Sequence, residues 1–205
     1  DANLNVTGDF SQSGGTVNLR PANTTGTSAI TVSGNYSITA GTMNMSAVGA
    51  VGTLNVAGNF TATGGTITES STGSGAIIFN GTEKQTYTSG ATISNTINFT
   101  VNSGAHLEMA AAGTQVQGGG SFTMINSSRL GIKATDGIAA SGPSGHIRVT
   151  GIRNYGSNNS FDYIGTAAQV TGTGLPATVN NLLINNATGV TQTNTSLTVN
   201  CILDL

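Results

Sequence analysis

The residues best equipped for chemistry lie close together in the stretch HIRVTGIRNYGSNNSFDYIG, which holds His146, Arg148, Arg153 and Asp162. His146 and Arg148 are two apart, so on a strand they would share a face, and Arg153 and Asp162 could join them. Hydrolysis or lyase chemistry on a polysaccharide needs more than this. It needs paired carboxylates, or a basic side chain beside metal-binding acids, converging on one groove. The acids here are Asp1, Asp9, Glu69, Glu83, Glu108, Asp136, Asp162 and Asp204, spread singly along the chain. The reading that follows is surface ion pairing on an irregular coil, and no catalytic residue is expected.

Metal and cofactor chemistry is read as absent too. No D-x-D-x-D loop occurs, GGGSF lacks the aspartate of a calcium-binding nonapeptide repeat, and His106 and His146 are isolated. Cys201 is the sole cysteine and has no His near it, so it reads as a buried small residue, with a redox-linked dimer as a lesser alternative. Thr16, Thr42 and Thr66 recur at one repeat position. An outward threonine ladder could face ice or a glycan, but T-x-T holds only at Thr66-Ile67-Thr68, and threonines at corners commonly hydrogen-bond their own turn. The second reading is preferred. The N-x-[ST] triplets, such as Asn35-Tyr36-Ser37 and Asn59-Phe60-Thr61, follow from composition.

What must position these residues is a repeat. Leu4–Leu19, Ile30–Met45 and Leu54–Glu69 read LNVTGDFSQSGGTVNL, ITVSGNYSITAGTMNM and LNVAGNFTATGGTITE. They align without a gap: Val6, Val32 and Val56; then Gly8, Gly34 and Gly58; then Phe10, Tyr36 and Phe60; then Gly15, Gly41 and Gly65 ahead of the three threonines. The Gly8, Gly34 and Gly58 positions recur after 26 and then 24 residues, a period of stacked repeats. Apolar and polar residues alternate on both sides of each glycine, which predicts short strands with one buried face. One such unit cannot cover its own Val and Phe, whereas an identical unit stacked on it can. The expected fold is therefore all-β, a parallel β-solenoid of roughly 23–26 residues per coil, with Gly-Gly and Gly-Asn at the corners because Gly, and after it Asn, takes positive φ.

Further along, FTVNSGAHLEM (99–109) and FTMINSSRLGI (122–132) match position by position, so the solenoid continues in a second variant. Residues 134–163 are the least regular, with Pro143 and several glycines. Pattern returns, at shorter spacing, in AAQVTGTGLPATVNNLLINNATGV and SLTVNCILDL. No linker interrupts residues 1–205, which read as one domain and as part of a longer chain or a filament.

Only 7% of residues are charged and the net charge is −2, so no basic patch exists to neutralise several phosphates and nucleic acid is not expected as a partner. Disorder is disfavoured by 37% hydrophobic residues at low net charge. No apolar run approaches the ~18 residues of a membrane-spanning helix.

The run GGTITESSTGSGAIIFNGTEKQTYTSG, with TINFTVNSGAHLEM and QVTGTGLPATVNNLLINNATGV, resembles the repetitive surface proteins of Bacteroidetes, large secreted chains that typically end in a type IX secretion sorting domain. No sorting domain is present here, and Cys201 stands where those repeats usually carry Gly. The resemblance implies an extracellular or cell-surface location and little about activity. Strand-like, weakly charged first and last stretches, without Pro or lysine clusters, predict end-to-end self-association, because an uncapped solenoid edge offers unpaired backbone groups. A structural building block of a fibre or matrix is the expectation, with a glycan-binding adhesin or a polysaccharide-active β-helix enzyme as the alternative.

Overall fold

The structure is a computed structural model, and it describes residues 3–19, 27–46 and 51–205. Asp1, among the acids named above, lies outside them. Every strand pairing among the described residues is parallel, and no helix interrupts them. The chain is a parallel β-solenoid of about eight turns. At about 4.8 Å per coil the stack is roughly 40 Å long.

A typical coil passes through three strands separated by corners, for example Val51–Val56, Phe60–Ala62 and Thr66–Thr68. The next coil repeats them as Ser74–Phe79, Lys84–Thr88 and Thr92–Ile93. Stacking generates a sheet of seven strands and one of eleven among the described residues. Each inward position becomes a column. Val6, Val32, Val56, Phe79, Val101 and Met124 are successive partners in the first sheet. In the second, Phe10 pairs with Tyr36, Tyr36 with Phe60, and Phe60 with Tyr87. Their rings stack at centroid distances of 5.3, 5.0 and 5.1 Å, nearly parallel. Tyr87 thus extends the three-ring column that the repeat predicts. Phe79 meets Phe60 and Tyr87 edge-on and ties the two sheets together across the core.

The glycines divide into two kinds. Gly15, Gly41 and Gly65 have φ of 65°, 86° and 73°, as the corner reading requires. Gly34 and Gly58 do not adopt positive φ, so the Gly-Asn corner differs from expectation. Their constraint is proximity, since a Cβ on Gly34 would lie 2.7 Å from the carbonyl oxygen of Gly8, and one on Gly58 would strike Gly34 in the same way. Glycine is needed there because successive corners nest directly on one another.

Coil length varies more than the repeat suggests. Phe60 and Tyr87 are 27 residues apart, Tyr163 and Ile184 only 21, yet both pairs keep strict parallel register. The irregular stretch is also shorter than 134–163. Ile147–Val149, Arg153–Asn154 and Ser160–Tyr163 are strands that pair with the preceding coil. The departure is confined to the loop between the strands Arg129–Ile132 and Ile147–Val149. These strands hide in the sequence because they are two to four residues long, and because Ser160, Phe161, Asp162 and Tyr163 are all buried, which erases alternation.

Candidate functional site

Two features stand out from the hydroxyl-and-amide surface: a charged face and a groove beside the 133–146 loop. The charged face arises from register. On the strands Lys84–Thr88, His106–Met109, Arg129–Ile132 and Ser160–Tyr163, one column reads Lys84, His106, Arg129, Ser160 and its neighbour reads Thr86, Glu108, Gly131, Asp162. Acids that look isolated in sequence thus share a column two coils apart. Glu108 accepts from Lys84 Nζ and from Lys133 Nζ, each at 2.9 Å. Asp162, its side chain only 4% exposed, accepts from Arg129 Nε at 2.6 Å. His106 Nε2 lies 3.4 Å from the same Asp162 oxygen without hydrogen-bond geometry, so Arg129 is the partner that neutralises Asp162. Gly131 separates the two carboxylates, and a side chain there would press on Glu108 Cγ at 2.8 Å. Burial alone would raise the Glu108 carboxyl, but the hydrogen bonds and charges of Lys133 and Lys84 outweigh it and hold the group below its usual range. A general acid needs the opposite displacement.

His146, Arg148, Arg153 and Asp162 do not converge. His146 is fully buried. Its Nδ1 donates to the carbonyl of Thr114 at 2.6 Å, and its Nε2 accepts from the backbone N–H groups of Lys133 and Ala134 at 2.8 and 2.7 Å. That arrangement fixes the neutral Nδ1–H tautomer, since a carbonyl can only accept. Desolvation, aided by the charges of Arg148 and Lys133, pushes the imidazole down to about 4. His146 therefore anchors the start of the loop. Arg148 points instead to the outside of the same turn, and Asp162 belongs to the charged face.

Arg148 and Arg153 meet along a groove of about 560 Å³, lined also by Gln115, Gln117, Ser141 and Thr150. Arg153 clips the loop: Nη1 donates to the carbonyl of Ala139, Nη2 to those of Gly142 and Val149, and Nε to Val149 as well. Tyr155 Oη adds a bond to the carbonyl of Ala139 at 2.9 Å. Among the described residues Arg148 uses only Nε, on the carbonyl of Gly145 at 2.9 Å.

The remaining positions fall as follows. Thr16, Thr42 and Thr66 pair in register with one another, and Thr92 continues the column. They lie on strands immediately after the corner glycines, and their hydroxyls make no hydrogen bond to the turn, contrary to the corner reading. Cys201 is exposed rather than buried, because its strand, Thr198–Asp204, pairs along one edge only among the described residues. Among the described residues no group of three His, Cys, Asp or Glu side chains is placed to hold a metal, and no helix is long and apolar enough to cross a membrane.

Lys84, His106, Glu108, Arg129 and Lys133 were missed as a cluster by sequence reasoning. The signal was present, since the alignment of 99–109 with 122–132 already places His106 over Arg129 and Glu108 over Gly131. These features define the molecule as a parallel β-solenoid with one ionic face and one loop-walled groove. Neither a scan of protein-family models nor searches of curated proteins and of solved structures finds a match for the chain.

Proposed function

We propose that this protein is a non-enzymatic structural β-solenoid, a building block of an extracellular or cell-surface fibre or matrix, extended by end-to-end stacking of copies. The observation that carries the reading is the apolar surface around its last strand. Ile202, Leu203 and Leu205 on or beside Thr198–Asp204 are exposed. Beside them lies a concavity of about 250 Å³ lined by Leu182, Ile184, Val190, Leu197 and Val199. At the opposite side of the stack Leu4 is 49% exposed and Phe10 covers Tyr36 on one face only. A second copy placed there continues both the backbone ladder and the apolar column, and a heterologous contact of this kind does not close on itself. With a net charge of −2, little repulsion opposes it. The ion pairing of Glu108 and Asp162 supports the non-enzymatic part, since both carboxylates already have cationic partners. The resemblance to repetitive surface proteins supports the location.

Sedimentation and electron microscopy of the purified chain test the proposal. Concentration-dependent filaments are expected, and Leu203→Lys with Leu205→Lys should abolish them without altering the far-ultraviolet spectrum. A wild-type chain that stays monomeric at millimolar concentration overturns self-association. Native filaments that release a species larger than 20.4 kDa on denaturation would show a covalently linked next coil in place of a second copy.

A further inference from the structure

The groove beside the loop is built differently from the rest of the surface. Its floor is the strand pair Val116–Gly118 and Ile147–Val149, which brings Gln117 against Arg148. Its wall is the loop, held rigidly by Arg153, Tyr155 and His146. The side chains of Gln115, Gln117, Ser141 and Thr150, and the two terminal amino groups of Arg148, make no hydrogen bond with other described residues although these five residues border one cavity. Among the described residues no acid lines the groove. Asp136, on the same loop, borders a separate depression with Ser144 and Thr173. A protein with a net charge of −2 thus concentrates two guanidinium groups and four exposed or half-buried neutral polar side chains, uncommitted to other described residues, in one place.

We propose that this groove is a binding site for an anionic saccharide, one carrying carboxylate or sulfate groups. With Nε committed to the carbonyl of Gly145, Arg148 presents Nη1 and Nη2 end-on, the fork that pairs with two oxygens of one carboxylate or sulfate. The amides of Gln115 and Gln117 and the hydroxyls of Ser141 and Thr150 both donate and accept, as vicinal sugar hydroxyls require. Pro143 adds an apolar surface for the C–H face of a ring. The volume suits two or three sugar residues and sits inside the range of small-molecule sites. Arg153 acts here as a positioning residue, because its donors are already taken by the loop. Although Arg153 lies on the last strand of the seven-stranded sheet, the groove shares no lining residue with the apolar concavity beside Thr198–Asp204, so the assignment stands independently of end-to-end assembly.

Titration calorimetry and ¹⁵N-resolved chemical-shift mapping test it with three hexasaccharides: a galacturonate oligomer, a heparin-derived oligomer and cellohexaose. Saturable, salt-sensitive binding of at least one anionic oligomer is expected, with shifts at Gln117, Arg148 and Thr150, and none for cellohexaose. Arg148→Gln should weaken Kd by about tenfold or more, Arg148→Lys should recover part of it, and Gln117→Ala should weaken it less. If Arg148→Gln fails to fold, the wild-type shift map decides. Absence of binding by both anionic oligomers, equal binding of cellohexaose, or shifts centred on Lys84 and Lys133 would each overturn the proposal. A response to the galacturonate oligomer alone would assign the anion as carboxylate, and to the heparin oligomer alone as sulfate.

Discussion

The side-chain oxygen of Asn35 accepts the backbone N–H of Asn59, in the next coil, at 2.9 Å. The same contact recurs on either side, with Asp9 Oδ1 accepting from Asn35 N at 2.7 Å and Asn59 Oδ1 from Thr86 N at 2.7 Å. Each residue thus caps one corner and is capped by its neighbour. The Asp/Asn position of the repeat is therefore a ladder of acceptors, not a set of residues chosen for left-handed backbone. Asn59→Ala should cost about 1 kcal/mol in a urea melt, in line with other lost backbone caps, while Asn59→Asp, which keeps the acceptor, should cost clearly less. Equal losses would mean that the amide's contacts matter and the ladder does not.

Faces assigned by alternation give a sharper contrast. Val56 is fully buried in its column, whereas Asn55 faces outward with a long contact to Thr31 Oγ1. Val56→Asp buries an unpaired charge and should cost upwards of about 4 kcal/mol. Asn55→Asp should change stability by less than about 0.5 kcal/mol. Parallel urea melts of the two variants decide it.

Gln85 staples a corner from inside. Its Nε2 donates to the carbonyls of Val56 and Gly58 at 2.8 and 2.6 Å, and its Oε1 accepts from Gly81 N at 2.8 Å. Gln169 repeats the device with Gly165 N and the carbonyls of Ile132 and Ala134. Gln85→Leu fits the space but leaves Gly81 N and the Gly58 carbonyl without a partner, while the Val56 carbonyl keeps its bond from Asn80 N, and a loss of about 2 kcal/mol is expected. Gln169→Leu should cost less, because the carbonyls of Ile132 and Ala134 keep their bonds from Ile164 N and Gly137 N and only Gly165 N loses its partner, and thermal melts of both check the order.

Buried neutral His146 couples stability to pH. Its folded value is about 4 against an ordinary 6.5. Between these values the unfolded chain binds a proton that the folded chain does not. Its contribution is therefore complete above pH 6.5 and is lost as pH falls toward 4, amounting to about 3 kcal/mol in all. The decline between pH 6.5 and 5, above the ordinary carboxylate range, should be visible in urea melts. It should flatten in His146→Gln even if that variant is less stable at every pH.

What the sequence made legible was whatever repeats. Val6, Val32 and Val56, the rings of Phe10, Tyr36 and Phe60, and the positive-φ glycines all follow from laying one coil on the next. What it hid depends on single residues reaching between coils. GTEKQ and GTAAQ carry the same glutamine staple, but at 81–85 and 165–169 they are three coils apart and fall outside the repeat frame. His146 and Arg148 looked like neighbours on one face, yet the histidine turns inward because two loop N–H groups and the carbonyl of Thr114 need a partner there. The charged face was spelled out by register alone, and scanning for acids close together in sequence could not find it.

Parallel, in-register stacking also dictates how the molecule would yield to tension. Each coil is bonded only to the coil before it and the coil after it, so a pull applied along the axis between the two termini loads one ladder at a time. Rupture should proceed as peeling from an end, without a single cooperative break. Each released coil of 24 residues, the interval from Asn35 to Asn59, would add roughly 80 Å of contour length. Such a chain would act as an extensible tether with a repeating sawtooth of force, stiff while folded and able to lengthen many times over before the backbone itself is strained.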